Sequence, residues 1–504
     1  AGNDSVVLYF GSSSANTAAG DDMIQSFHAA TNGVWGADTI NGGAGSDRWI
    51  GYFQNAIGPV TFTYNGSAGT LTGGTTLTSI ERAEFYGSAF DDVFVMTAAA
   101  NALLDGGGGI EELTIDYTGQ GLYGNHSQSI TSNGSGGFNG SVLSGTGGAI
   151  TFRNIERIDY TGSAVHDELF VDASPLASAN TLLSLDGGAG NDWLRLDLSA
   201  FQNSVFIVSG TSATITRGTF TGWEQFEVQL GGGSNHFRGG AGDDFIESSG
   251  GADTIQGGAG SDSWPGNFSG SGIARTLHHA NGEGTVSGGT VLTSIEGINF
   301  IGGTANDQAN LAGSYGRSID GREGTDTLRA DYSGLGQSSI YDRTFSNSDI
   351  WSDGNGSFTG YLRHSTSIQT YFQNIERVFF VAEDSWDTLR VDAASLASAS
   401  AYLNLDGGAG NDHLILDFSG LADMTFWFSG ETARSTRGVF TNWENITVLF
   451  GTGANRATGG NSRDNFRGGA GNDFLSGAGS SDSLEGRDGD DILNGGLDDV
   501  WIDG

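Results

Sequence analysis

The sequence predicts an all-β fold, a parallel β-roll or β-solenoid that carries two duplicated, insert-bearing β blocks. Three observations lead there. Residues 237–264 (FRGGAGDDFIESSGGADTIQGGAGSDSW) place Asp244, Asp253 and Asp262 nine residues apart, each after a Gly-rich turn and each followed two residues later by Ile246, Ile255 or Trp264. The remaining apolar residues fall in short alternating runs (VTFTY, LTIDY, VFIVSG, SATITR, ITVLF) separated by Gly or Asn, the signature of short strands. Long segments also recur, and repeats of this kind imply stacking, because no single unit covers its own apolar face.

The recurrence divides the chain in two. GAGSDRW at 43–49 returns as GAGSDSW at 258–264, LTSIERAEF at 77–85 as LTSIEGINF at 292–300, and LDGGAGNDWLRLD at 185–197 as LDGGAGNDHLILD at 405–417. Each copy of roughly 220 residues holds three units that run from a turn acid to an Ile-Glu or Trp-Glu step. The pairs are Asp47/Glu81, Glu111/Glu156 and Asp192/Glu224, then Asp262/Glu296, Asp326/Glu376 and Asp412/Glu444. The expected layout is a partial roll at 1–47, a first block at 48–230, a central roll at 231–265, a second block at 266–458 and a C-terminal roll at 459–504. No helix is expected beyond single turns within 174–180 and 394–400. The opening AGND and closing NGGLDDVWIDG read as parts of further turns, so the chain is expected to be a piece of a longer one.

Composition narrows function. The chain has 504 residues, 59 acids against 21 bases, a net charge of −38 and a pI near 4.2; every base is Arg and there is no Lys. Such a surface repels phosphate backbones and anionic lipid, so no nucleic-acid partner is expected, whereas cations are attracted. With no Cys, disulfides and thiolate metal sites are excluded. No apolar run approaches the roughly 18 residues of a membrane span. With 86 Gly but only 3 Pro, and 10 Trp, 13 Tyr and 30 Phe to bury, the chain is expected to fold rather than remain disordered.

The nine-residue period has a chemical meaning. Two nonapeptides complete a coil of about 18 residues, which sets the Asp of one coil above the Asp of the next, as for Asp244 and Asp262. Gly residues tolerant of positive φ turn their carbonyls into the gap. Carboxylates with carbonyls form an oxygen-only cage, which suits Ca²⁺ and lacks the N or S donors that Zn²⁺ prefers. The candidate metal ligands are Asp4, Asp22, Asp38, Asp47, Asp92, Asp192, Asp244, Asp253, Asp262, Asp326, Asp412, Asp464, Asp473, Asp482 and Asp491. The glutamates of the Ile/Trp-Glu steps are read instead as acceptors for backbone donors at strand starts.

GGAGDDFIE, GGAGSDSWP, GGAGNDFLS and GRDGDDILN resemble the GGxGxDxUx nonapeptides of RTX (repeats-in-toxin) proteins. GSAFDD and GSAVHD (87–92 and 162–167) resemble degenerate turns of the same kind. Glu111, Asn235 and Asn455 stand where the pattern expects Asp. The resemblance implies multiple bound Ca²⁺ ions, secretion of the bacterial type I kind and an extracellular or cell-surface location.

No catalytic motif accompanies these repeats. There is no HExxH and no GxSxG, no Lys for a Schiff base, and the eight His occupy positions that differ between the two copies. The chain is therefore read as a non-enzyme: an extracellular structural protein of the cell-surface, matrix, adhesin or S-layer type that assembles with itself on Ca²⁺ binding. The alternatives are the folding and export region of a larger secreted enzyme or toxin, and a polysaccharide-acting β-helix enzyme. The aromatics Trp49, Phe53, Tyr64, Phe138, Tyr341, Trp351, Phe358, Tyr361 and Tyr371 are read as core of the inserts, with a platform for cell-surface polysaccharide or a partner as the second reading.

Overall fold

A computed structural model describes residues 2–9, 11–29, 36–97, 101–118, 128–143, 148–313, 316–335, 347–363, 369–384, 386–430, 432–496 and 501–504. The chain divides into two compact units, residues 1–248 with 254–260, and residues 249–253 with 261–504.

Unit 1 is a coil whose strands alternate between two parallel sheets. The first sheet orders Ser5–Tyr9, Met23–Ala29, Arg48–Asn55, Arg82–Tyr86 and Ala102–Asp105 side by side. An antiparallel meander follows, Ala149–Ile155, Phe138–Leu143 and Gln128–Ser132, and then Glu168–Asp172, Trp193–Leu198, Gln225–Leu230 and Phe245–Glu247. The second sheet carries two such meanders, Thr61–Tyr64/Gly69–Leu71/Thr76–Thr78 and Val205–Ser209/Ser212–Ile215/Gly218–Thr221. Between them lie the parallel strands Val93–Thr97, Glu112–Asp116, Arg157–Thr161 and Leu182–Asp186.

Unit 2 repeats this plan. Its meanders are Thr276–Ala280/Glu283–Val286/Thr290–Thr293, Asn347–Ser352/Phe358–Arg363/Gln369–Ile375 and Thr425–Ser429/Thr432–Ser435/Gly438–Thr441, in the same alternation of sheets. The segments between a turn acid and its Glu step are thus additional strands laid into the sheet, so roll and block form one hydrogen-bonded ladder within each unit. The only helical elements among the described residues are the single 3₁₀ turns Ser174–Ala177 and Ala394–Ala397.

Parallel register stacks like on like. Tyr64, Met96, Ile115, Tyr160, Leu185 and Phe220 form one buried row across six strands. In the arrays most strands shrink to three residues with one apolar side chain inward, such as Phe237, Ile255, Leu475 and Leu484. Phe474–Ser476 pairs with Ile492–Asn494 at a displacement of 18, so two nonapeptides do make one coil. Of the aromatics assigned to the inserts, Trp49, Phe53, Tyr64, Phe138 and Phe358 are buried, whereas Trp351 is 41% exposed and Tyr361 and Tyr371 are half-buried. Tyr341, like His126 and His364, lies outside the described residues.

Candidate metal centre

The turn acids sit where a Gly-rich turn enters a strand, and in many of them the carboxylate bridges successive coils. One oxygen accepts the backbone N–H of the residue at the same corner of the preceding coil. Asp22 Oδ1 takes the N–H of Asp4 at 2.6 Å and Asp47 Oδ1 that of Asp22 at 2.8 Å. Asp482 Oδ1 and Asp491 Oδ1 take those of Asp464 and Asp473, at 3.0 and 2.8 Å. The same bond joins Asp192 to Asp167, Asp326 to Asp307 and Asp412 to Asp387.

The second oxygen often turns back to the N–H four residues earlier. Asp244, Asp464 and Asp473 accept from Gly240, Gly460 and Gly469 at 3.0–3.2 Å. Asp92 accepts from Ser88 in this way and also from Val60. In other turns this oxygen is buried without a hydrogen-bond donor: Asp22, Asp47, Asp192, Asp326, Asp387, Asp412 and Asp491 each leave Oδ2 so, and Glu111 leaves Oε1.

The turn glycines complete the geometry. A Cβ on Gly87 would lie 2.7 Å from Asp92 Oδ2, and one on Gly477 would lie 2.8 Å from the carbonyl oxygen of Gly495. Side-chain and main-chain oxygens thus occupy the space that a larger residue would fill. Gly45, Gly190, Gly260, Gly471 and Gly489 adopt φ between 132° and 159°, which only glycine takes without strain.

Burial raises the carboxyl pKa at several of these corners. Desolvation pushes Asp192, Asp412 and Asp464 to about 7 and Asp326 to about 8, with repulsion from Glu224, Glu444, Asp482 and Glu376 respectively adding to the shift. Burial and Glu156 together raise Glu111. Buried anions with unclaimed lone pairs beside carbonyl oxygens fit a hard cation. Among the described residues no three His, Asp or Glu side chains form a metal cluster, so an ion in these turns would take one or two carboxylates together with main-chain carbonyls.

The fifteen acids named from the sequence are not equivalent. Asp4 is exposed. Asp38 accepts the N–H of Ser13 at 2.8 Å, and its Oδ2 faces buried His28 at 3.6 Å. Asp253 donates its N–H to Thr290 Oγ1, as Asp38 does to Thr75 Oγ1. Asp262 donates its N–H to Glu296 at 2.9 Å.

Three acids of the ladder were not among the ligands named from the sequence: Asp167, whose turn GSAVHD was recognised, and Asp307 and Asp387. Their signal is a Gly five residues before the acid, visible in GSAVHD and GGTAND (302–307) but absent from the turn of Asp387, where Ala382 takes that place. Asn235 and Asn455 hold the same corner and accept the N–H of Ser204 and Met424, so the amide keeps the backbone bond while contributing no charge. The glutamates of the Ile/Trp-Glu steps accept backbone donors, as read from the sequence: Glu81, Glu156, Glu224, Glu296, Glu376 and Glu444 each take the N–H of their paired turn acid.

A second feature belongs to unit 2. A groove of ≈ 790 Å³ runs over its second sheet. Its floor is one outward row across five strands, His278, Asn310, Arg329, Phe379 and Asn404, with the Arg329 guanidinium 3.8 Å from the centre of the Phe379 ring. In unit 1 the corresponding row is Thr63, Val95, Thr114, Asp159 and Ser184.

The profile of the RTX calcium-binding nonapeptide repeat (four copies) matches residues 32–49, 184–198, 230–263, 451–484 and 469–502. No curated protein matches the chain. The matched segments contain the turns of Asp38, Asp47, Asp192, Asp244, Asp253, Asp262, Asp464, Asp473, Asp482 and Asp491, and in these segments the chain carries RTX calcium-binding nonapeptide repeats.

Proposed function

We propose that the chain is an extracellular, non-enzymatic structural protein whose coils lock on Ca²⁺, and which associates with itself through its acidic faces when Ca²⁺ is present. The observation that carries this reading is the ladder of buried turn acids, several with an oxygen that no donor satisfies. An ion there removes repulsion between successive coils, so its binding energy adds to folding energy. With a net charge of −38 and no Lys, the surface lacks ammonium groups to join acidic faces, a task that divalent ions perform. The reading places the chain in a cell-surface, matrix, adhesin or S-layer role.

A calcium titration followed by circular dichroism and light scattering tests it. Strand signal and particle size should rise together at millimolar Ca²⁺ and fall with chelator. A strand signal and melting temperature indifferent to chelator would overturn the calcium reading, and a monomer at every concentration would overturn the assembly reading.

The unit 2 groove supports a second reading, in which this unit holds a carbohydrate chain. Neighbouring strands lie about 4.8 Å apart, so the row presents His, Asn and Arg donors and an aromatic face at near-regular intervals, a mixture suited to hydroxyl-rich ligands.

A further inference from the structure

Of the six turn acids that precede a three-strand meander ending in an Ile/Trp-Glu step, five share one arrangement: Asp47, Glu111, Asp192, Asp326 and Asp412. All five are at most 1% exposed, and all five leave one carboxylate oxygen without a hydrogen bond. Four acids stacked against another turn differ. The Oδ2 of Asp92, Asp167, Asp307 and Asp473 accepts the N–H of Ser88, Ser163, Gly303 and Gly469. Asp22, Asp387 and Asp491 share the unsatisfied oxygen without a Glu step, so the feature extends beyond these corners but is present at all five.

The residue two places before each Glu explains what faces that oxygen. Ser79, Asn154, Asn374 and Asn442 adopt φ of 50–56°, and Gly222 a φ of 66°. This left-handed kink turns their carbonyl oxygens onto Gly42, Gly106, Gly321, Gly407 and Gly187, the glycines that open the preceding turns, on the side where a Cβ would stand. At Gly42, Gly187 and Gly321 the unsatisfied oxygen of Asp47, Asp192 or Asp326 lies against the same side. The Glu carboxylate is pinned to the corner by the acid's own N–H, at 2.6–3.0 Å. The corners of Asp47, Asp192 and Asp326 therefore gather two carboxylates and a carbonyl, and those of Glu111 and Asp412 share the kink carbonyl at the turn glycine and the Glu on the acid's N–H.

Among the described residues no salt bridge balances them, and Arg377 acts on Glu376 only through electrostatic attraction. Arg48 and Arg82 pair with Glu84, Arg153 with Asp105, and Arg195 with Glu168 and Glu227. Among the described residues no Arg makes an ion pair with any of the ten carboxylates at these corners.

We infer that each of these corners is a divalent-cation site, in which the kink carbonyl and the step Glu replace the second nonapeptide turn. The inference rests on the calcium-binding reading above and adds ions to the meander-bearing coils, outside the contiguous arrays. It gives the glutamates a charge-bearing role besides their backbone bond. Two carboxylates supply a charge of −2, matched to a divalent ion, and oxygen-only donors select Ca²⁺ over softer metals.

The test counts ions in the full chain by calorimetry and equilibrium dialysis, with Tb³⁺ as a luminescent probe excited through Trp223, which adjoins Glu224. Glu224→Gln keeps an oxygen for the Asp192 N–H while losing the charge, and Asp192→Asn removes the other charge. Each variant should bind one Ca²⁺ fewer than the parent chain and show weaker Trp-sensitised Tb³⁺ emission. Asp473→Asn in the C-terminal array serves as the comparison.

If Asp473→Asn loses an ion while both corner variants keep the full count, the inference is wrong and the calcium reading stands. If the parent chain binds no Ca²⁺, the calcium reading itself falls. A proton shared between Asp192 and Glu224 is the competing explanation. Calcium-independent uptake of one proton per corner, with the ion count unchanged in Glu224→Gln, would establish it and overturn the inference.

Discussion

Glu81 accepts the backbone N–H of Asp47 at 2.7 Å across 34 residues, and Glu296 accepts that of Asp262 at 2.9 Å across the same separation. The sequence interval between turn acid and step Glu is thus the contour length of a detour. The chain leaves the coil, lays down three antiparallel strands and returns to the corner it left. Detours of 32, 45 and 50 residues end in the same bond at Glu224, Glu156 and Glu376.

Removing that acceptor should therefore unfasten a coil. Glu81→Ala leaves the Asp47 N–H buried without a partner, at a cost of about 1–3 kcal/mol. The loss should spread to adjacent coils, because solenoid stability is a sum over neighbours. Glu81→Gln keeps an oxygen at the same place and should lose far less in chelator. Urea unfolding of both variants without calcium measures the difference, and equal destabilisation would refute the acceptor role.

Much of this was legible in the sequence because period and contact coincide. Nine-residue spacing announces the corner acids, and alternation announces strands such as Glu112–Asp116 and Asn445–Phe450. The direction of the meander strands was not legible, since an antiparallel return and a parallel coil show the same alternation. The left-handed residue before Ile or Trp was also hidden, because Ser, Asn and Gly fill it for different local reasons. Asp387 could not be found from its turn, since Ala382 replaces the usual Gly.

The C-terminal array holds three residues in conformations that its other turns give to glycine: Ala478 at φ 76°, Ser480 at 93° and Arg487 at 74°. Left-handed backbone costs an L-residue about 1–2 kcal/mol. Part of that is recovered in glycine's larger unfolded-state entropy. Ala478→Gly and Ser480→Gly should each stabilise the array by about 0.5–1 kcal/mol, read as slower amide exchange at Leu475 and Leu484. Unchanged or faster exchange would show that the strain is relieved elsewhere.

The groove of unit 2 makes a sharper claim on Arg329 than on its neighbours, because its guanidinium is stacked on Phe379 and held in place. If the groove takes a carbohydrate, Arg329→Ala should lower affinity at least tenfold in a glycan array or by calorimetry. Thr114→Ala, at the corresponding place in unit 1, should change nothing. Equal effects of the two substitutions, or none, would remove the second reading.

The last expectation concerns pH, and its sign follows from burial. Asp192, Asp412 and Asp464 lie near pKa 7 and Asp326 near 8 in the folded, metal-free chain, against an ordinary value of 3.8. Between those limits the folded state binds more protons than the unfolded state, so stability falls as pH rises from about 4 to about 8. Calcium reverses the trend. It binds the ionised carboxylates, displaces their protons and gains affinity as pH rises through the same window. In chelator the melting temperature should therefore be higher at pH 5 than at pH 8, while in millimolar calcium the order inverts. Calcium binding at pH 6.5 should also release protons, measurable as a buffer-dependent heat in calorimetry. A metal-free melting temperature that climbs from pH 5 to 8 would mean that these acids ionise freely in the folded coil, and that no cation is needed to keep its corners closed.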